Sequence, residues 1–131
     1  MGAESTSGGH TKLLVIEDDR DIREIVVETL EDEGYVVESA ANGSEALEQL
    51  RSGASLPCVI LLDIMMPVMD GRMFRVRQLE DPALAAIPVV VMTADNDIDR
   101  IAEELRANLH LRKPVRIDQL LEIARQYCGT P

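Results

Sequence analysis

The chain has few of the residues that build metal and cofactor centres: two cysteines, two histidines and two lysines among 131 residues, with no tryptophan. Cys58 and Cys128 lie far apart and outside any CxxC spacing, so neither a disulfide framework nor a zinc site is indicated. Two buried or part-buried thiols are the expectation. His10 and His110 have no ligand spacing either, which removes a zinc or iron centre. No GxGxxG or Walker-type glycine loop is present, which argues against a dinucleotide or nucleoside-triphosphate enzyme. No stretch approaches the roughly 20 apolar residues of a spanning helix. The first residues carry no apolar run of the kind a secretion signal needs, and a cytoplasmic location is expected. Cations are also scarce. Lys+Arg number 13 against 24 Asp+Glu, a net charge of −11. Such a surface repels phosphate backbones and anionic headgroups, so direct nucleic-acid and membrane partners are excluded.

What remains is a single small domain whose 46% hydrophobic content suffices for a core. Residues 1–11 are rich in Gly, Ser and Thr without periodicity and read as a disordered arm ahead of a domain at 12–128. From Lys12 onward two kinds of segment alternate. Leu13-Leu14-Val15-Ile16 is a short apolar run, and Ile22, Ile25, Val26 and Leu30 follow at helical spacing until Gly34. The same alternation recurs four times, through the strand-like runs at Tyr35–Val37, Cys58–Leu62, Val89–Met92 and Leu109–Arg112. Continuous apolar strands belong in a sheet covered by helices on both faces. Right-handed crossovers then make it a five-stranded parallel α/β sheet.

Ligands of open α/β sheets bind at the carboxyl ends of the strands. There the sequence places Glu17-Asp18-Asp19, Asp63, Thr93 and Lys113: carboxylates, a hydroxyl and an ammonium on one edge. Crowded carboxylates repel, and a hard divalent cation such as Mg²⁺ relieves them. A cation together with Lys113 attracts a phosphoryl group, Thr93 can donate to its oxygens, and one carboxylate can take it up as an acyl phosphate. Each residue also has a plainer reading. Asp18 or Asp19 can cap the first helix, Thr93 can merely end a strand, and Lys113 can be solvated. Met65, Met66, Met69 and Met73 read as adaptable packing or partner contact ahead of a soft-metal site.

The acidic cluster after the first strand, the run Leu61-Leu62-Asp63-Ile64-Met65-Met66-Pro67 with Asp70-Gly71, the pair Thr93-Ala94 and Lys113-Pro114 together resemble a response-regulator receiver domain. The intervals Asp18–Asp63 and Asp63–Thr93, 45 and 30 residues, are family-like. The resemblance implies a doubly wound, flavodoxin-like fold with strand order 2-1-3-4-5. It implies a phosphoacceptor switch rather than an enzyme acting on other molecules. Asp63 takes a phosphoryl group from phosphohistidine on a sensor kinase or phosphotransfer protein, and a downstream protein target reads the result. Mg²⁺ is held by Asp18, Asp63 and the Met65 backbone carbonyl, with Glu17 acting through water. Lys113 neutralises the phosphoryl oxygens, Thr93 is the switch hydroxyl, and the Lys113–Pro114 bond is cis. Met65 and Asp95 flank the approach of hydrolytic water.

The match is incomplete on one face. Thr93 to Lys113 spans 20 residues, about two fewer than the family usually has, which implies a shortened fourth-helix region. Arg106 stands where glycine is common, and His110 stands in the place of the usual aromatic switch residue. Two other readings compete. A pseudo-receiver would bind partners without phosphorylation, but Asp18, Asp63, Thr93 and Lys113 form a complete set. An Mg²⁺-dependent phosphatase with an aspartate nucleophile would carry a DxD-like motif after the first strand and usually a cap, for which this chain is too short.

Overall fold

The computed structural model describes residues 12–53 and 55–131. The expected arm at 1–11 lies outside the described residues. Strands β1 (Lys12–Ile16), β2 (Val36–Ala40), β3 (Val59–Asp63), β4 (Val89–Thr93) and β5 (Leu109–Arg112) alternate with five helices. These are α1 (Arg20–Asp32), α2 (Gly43–Ser52), α3 (Gly71–Glu80), α4 (Ile98–Glu104) and α5 (Ile117–Cys128). All pairings are parallel and the order is β2-β1-β3-β4-β5, as the resemblance implies. Among the described residues no helix is long and apolar enough to cross a membrane.

Every residue of β1, β3 and β4 is buried, and alternate residues serve opposite faces. Leu14, Ile16, Ile60, Leu62, Val89 and Val91 pack with Leu47, Phe74 and Ile101 of α2, α3 and α4. Leu13, Val15, Val59, Leu61, Val90 and Met92 pack with Val26, Leu30, Leu120 and Ile123 of α1 and α5. The edge strand β2 alternates in burial instead, with Val36 exposed. Three helices begin on side-chain caps. Asp19, Asn42 and Asp70 accept from the amides of Ile22, Glu45 and Met73. Asp19 is therefore the cap of α1, and Asp18 is left for other work.

The expectation of separate thiols is overturned: Cys58 and Cys128 form a disulfide, with Cα atoms 5.5 Å apart across 70 residues of sequence. Their spacing along the chain conceals this. α5 runs antiparallel to the strands, so its last residue returns to the edge where β3 begins. Closing a loop of about 70 residues contributes on the order of 4 kcal/mol in the chain-entropy account.

α4 has only seven residues, in line with the shortened interval, and Arg106 just after it has φ +54°. That left-handed backbone is the reason glycine suits the position. The end of α4 is held from α3 by a buried arginine. Arg75 Nε donates to Leu105 O at 2.8 Å, Nη2 to Arg106 O at 2.9 Å and Nη1 to Gln78 Oε1 at 2.7 Å. Gln78, fully buried, donates in turn to Leu84 O and Ile87 O. The Arg75 cation therefore meets the negative end of α4 rather than a carboxylate. Burial, and then the charge of Arg106, pull its pKa below the usual arginine value.

Opposite effects are expected at these two positions. Arg75→Met leaves buried carbonyls unpaired and costs about 2–3 kcal/mol. Arg106→Gly relieves the left-handed backbone and the repulsion toward Arg75, and stabilises by about 0.5–1 kcal/mol. Urea denaturation of the two variants against wild type measures both.

Candidate functional site: a carboxylate cluster at the sheet edge

The site is built by strand ends. The β1–β2 ladder runs one residue past β1, with Glu17 N donating to Ala40 O at 3.0 Å, which seats Glu17 at 1% exposure. Lys113 N donates to Thr93 O at 2.9 Å, extending the β4–β5 ladder in the same way. Asp63 is the last residue of β3 and is buried. Arg23, one turn into α1, donates from Nη1 to Glu17 O at 2.8 Å and steadies the acidic pair from behind. Sequence reasoning missed Arg23, although its only signal, a cation shortly after an acidic cluster, is in plain view.

Glu17, Asp18 and Asp63 each offer a carboxylate oxygen, and these oxygens lie within 4.8 Å of one another. Lys113 Nζ is paired with Glu17 Oε1 and stands 3.3 Å from Asp63 Oδ1. Glu17 Oε2 accepts from Asp19 N at 3.1 Å. Asp63 Oδ2 is buried with no hydrogen-bond partner among the described residues. Burial first, and the Glu17 carboxylate second, push the Asp63 carboxyl up to about 7, against the pull of Lys113. Burial opposes the charge on Lys113, but its hydrogen bond to Glu17 and the charges of Asp63 and Glu17 raise it above the usual lysine range. A cluster of three carboxylates with one cation and one orphaned oxygen fits a hard divalent ion.

The loop from β3 to α3 closes over this edge. Gly71 N donates to Ile64 O, and a Cβ on Gly71 would stand 2.6 Å from Asp63 O, so only glycine lets α3 start this close to the phosphoacceptor candidate. Met66 is buried while Met65 stands 71% exposed. Between them and α3, Met69 N bonds Pro67 O at 2.7 Å around Val68, whose φ is +67°. An exposed β-branched residue is thereby held in a strained γ-turn.

Thr93 is buried at the end of β4, and its Oγ1 accepts from Asp95 N at 3.1 Å. The Lys113–Pro114 bond is cis. Glu17, Asp18, Asp63 and Lys113 thus come together and Thr93 adjoins Lys113 through the backbone. His110 faces outward from β5, its Nε2 3.0 Å from Asp99 Oδ1 of α4.

Residues 13–125 match the family model of the response regulator receiver domain. Sporulation initiation phosphotransferase F of Bacillus subtilis (strain 168) is 34% identical over 120 residues, covering 88% of this chain and 92% of that protein. Chemotaxis protein CheY4 of Vibrio cholerae superposes with a TM-score of 0.79 at 30% identity, over 89% of this chain and 98% of that one. The phosphorylated cyanobacterial phytochrome response regulator RcpA gives 0.77 at 30% identity, over 93% and 96%. Other relatives are longer. The chain spans 47% of the response regulator MprA of Mycobacterium ulcerans and 7% of the hybrid signal transduction protein DokA of Dictyostelium discoideum. With family model, sequence and topology in agreement, the chain belongs to the response regulator receiver domains of two-component signalling.

Proposed function

We propose that the domain is a phosphoacceptor switch in which Asp63 takes a phosphoryl group from a phosphohistidine of a sensor kinase or phosphotransfer protein. The observation that carries this reading is the buried Asp63 carboxylate, with one oxygen unpartnered and Lys113 3.3 Å from the other, inside the Glu17–Asp18 cluster. An Asp63 oxygen attacks phosphorus, the phosphorus–nitrogen bond breaks, and the imidazole leaves with its electron pair. Asp18, Asp63 and the Met65 carbonyl would hold Mg²⁺, with Glu17 acting through water. When bound, the ion supplies positive charge that keeps Asp63 ionised and offsets the incoming phosphoryl oxygens. Lys113 is placed to take the phosphoryl charge once the acyl phosphate has formed.

The donor's approach is supported by the surface beside Lys113. Ile25 stands exposed there, and with Ile22, Val26, Pro114 and Val115 it lines a shallow apolar cleft. Output to a downstream protein would run through the Thr93 hydroxyl moving toward the phosphoryl group. His110, paired with Asp99, would be its partner on β5.

A small-molecule phosphodonor should add one phosphoryl group to Asp63 with Mg²⁺ and none with chelator, read by intact mass. An equal adduct on Asp63→Asn would remove the assignment, and no adduct on wild type would leave the pseudo-receiver.

The lifetime of the acyl phosphate should be long. Hydrolysis needs an oriented water, and Met65 is apolar while Asp95 adds negative charge to an anionic site. Met65→Asn should speed the decay several-fold, followed by the mass of the adduct over time; unchanged decay would free Met65 of this role.

A pH test addresses the metal-free cluster. Native Asp63 keeps its proton up to about pH 7, whereas the unfolded group loses it near 4. Its raised pKa means that stability is lost as pH rises through that window. Asp63→Asn has no charge to bury. In chelator its advantage over wild type should grow by about 2–3 kcal/mol between pH 5 and 8, by urea titration. A gap independent of pH would show that the buried charge is not its source.

A further inference from the structure

The edge of the sheet opposite the carboxylate cluster carries the Cys58–Cys128 disulfide, which phosphoryl chemistry does not use. We propose that this pair is a reversible thiol–disulfide exchange site whose co-reactant is the disulfide of a small thiol such as glutathione. Oxidation staples the end of α5 to the start of β3. The proposal does not depend on phosphorylation of Asp63.

The two sulfurs are brought together by bonds that do not involve sulfur. Cys58 N donates to Lys12 O at 2.9 Å, which places Cys58 in register beside β1. The end of α5 is fixed by Tyr35, whose hydroxyl donates to Gly129 O at 2.6 Å, and by Gly129 N on Arg125 O. Ring closure therefore joins groups already adjacent, which favours the intramolecular product. The reduced state is accommodated too. Cys58 Sγ lies 3.1 Å from Lys12 O and Cys128 Sγ lies 4.0 Å from the same oxygen, so a thiol at Cys58 has an acceptor close by once the two sulfurs have moved apart to non-bonded distance.

Burial sets the order of attack. Cys58 is partly exposed and Cys128 only 6% exposed, so an external sulfur meets Cys58. The Cys58 thiolate attacks one sulfur of the small disulfide, whose sulfur–sulfur bond breaks and releases one thiolate. The Cys128 thiolate then attacks the Cys58 sulfur of the mixed disulfide and expels the second. Two electrons pass from the cysteine pair to the small disulfide, and the two cysteine protons go to the released thiols. Reduction is the reverse, with an external thiolate attacking Cys58. These are the chain's two cysteines, so one intramolecular product is available.

The test equilibrates the full chain at a series of reduced-to-oxidised glutathione ratios, quenches with acid, alkylates free thiols and measures intact mass. The expected result is one reversible transition from two alkylated cysteines to none, with loss of two hydrogens and no covalent dimer. The oxidised form should melt about 10 °C or more above the reduced form. Cys128→Ala should trap glutathione on Cys58 quickly and Cys58→Ala should trap it on Cys128 slowly. Tyr35→Phe, which loosens the end of α5, should shift the midpoint ratio about fivefold toward the dithiol. Full alkylation at every ratio, glutathione adducts without ring closure, or covalent dimers would overturn the proposal. Equal trapping rates in the two alanine variants would overturn the order of attack.

Discussion

Carboxylates buried together at the end of a parallel sheet need a positive charge or a proton beside them. Here Lys113 supplies the charge, reaching both Glu17 and Asp63. Each participant is delivered by a different strand, so the arrangement exists only if β1, β3 and β5 are correctly ordered. The doubly wound topology does this by setting β1 and β3 side by side at the point where the strand order reverses. The compensation is partial. One cation serves three carboxylates, Asp63 retains an unpartnered oxygen, and its raised pKa records the deficit. A bound divalent ion would relieve that deficit.

The features that were readable in the sequence share a physical cause. Strands buried on both faces must be continuously apolar, so Val59–Leu62 and Val89–Met92 announce a covered parallel sheet. A polar residue that closes such a run stands at the edge where ligands bind, which makes Asp63, Thr93 and Lys113 visible. Arg106 was also legible as an oddity, and its φ of +54° explains why. What was hidden depends on contacts between distant segments. Nothing in the sequence marks Arg75, which is buried against the end of α4 and tied to Gln78. Cys58 and Cys128 show no motif because only the antiparallel return of α5 brings them together. His110 aligns with an aromatic position, but one residue's place in a strand does not reveal that Asp99 meets it outside the sheet.

The two edges of the sheet are built to different standards of rigidity, and the difference bears on function. At the amino-terminal edge a disulfide and the Tyr35–Gly129 bond fix α5 to the neighbouring strand and turn. At the carboxyl edge the features are those of low local stability: an unpartnered buried oxygen, the strained turn at Val68, the exposed Met65 and a helix of only seven residues. Strain and missing partners raise the energy of this edge, so a ligand that adds contacts there has more to gain than it would in a relaxed site. Arg75 holds the far end of α4 to α3, whereas the near end rests on the turn in which Asp95 N donates to Thr93 Oγ1 and Asp97 N donates to Asp95 Oδ1. Ile98, the first residue of α4, is itself buried, so the short helix is seated in the core at both ends. The turn between β4 and α4 therefore links the carboxylate edge to the face that α4 shares with His110 and β5.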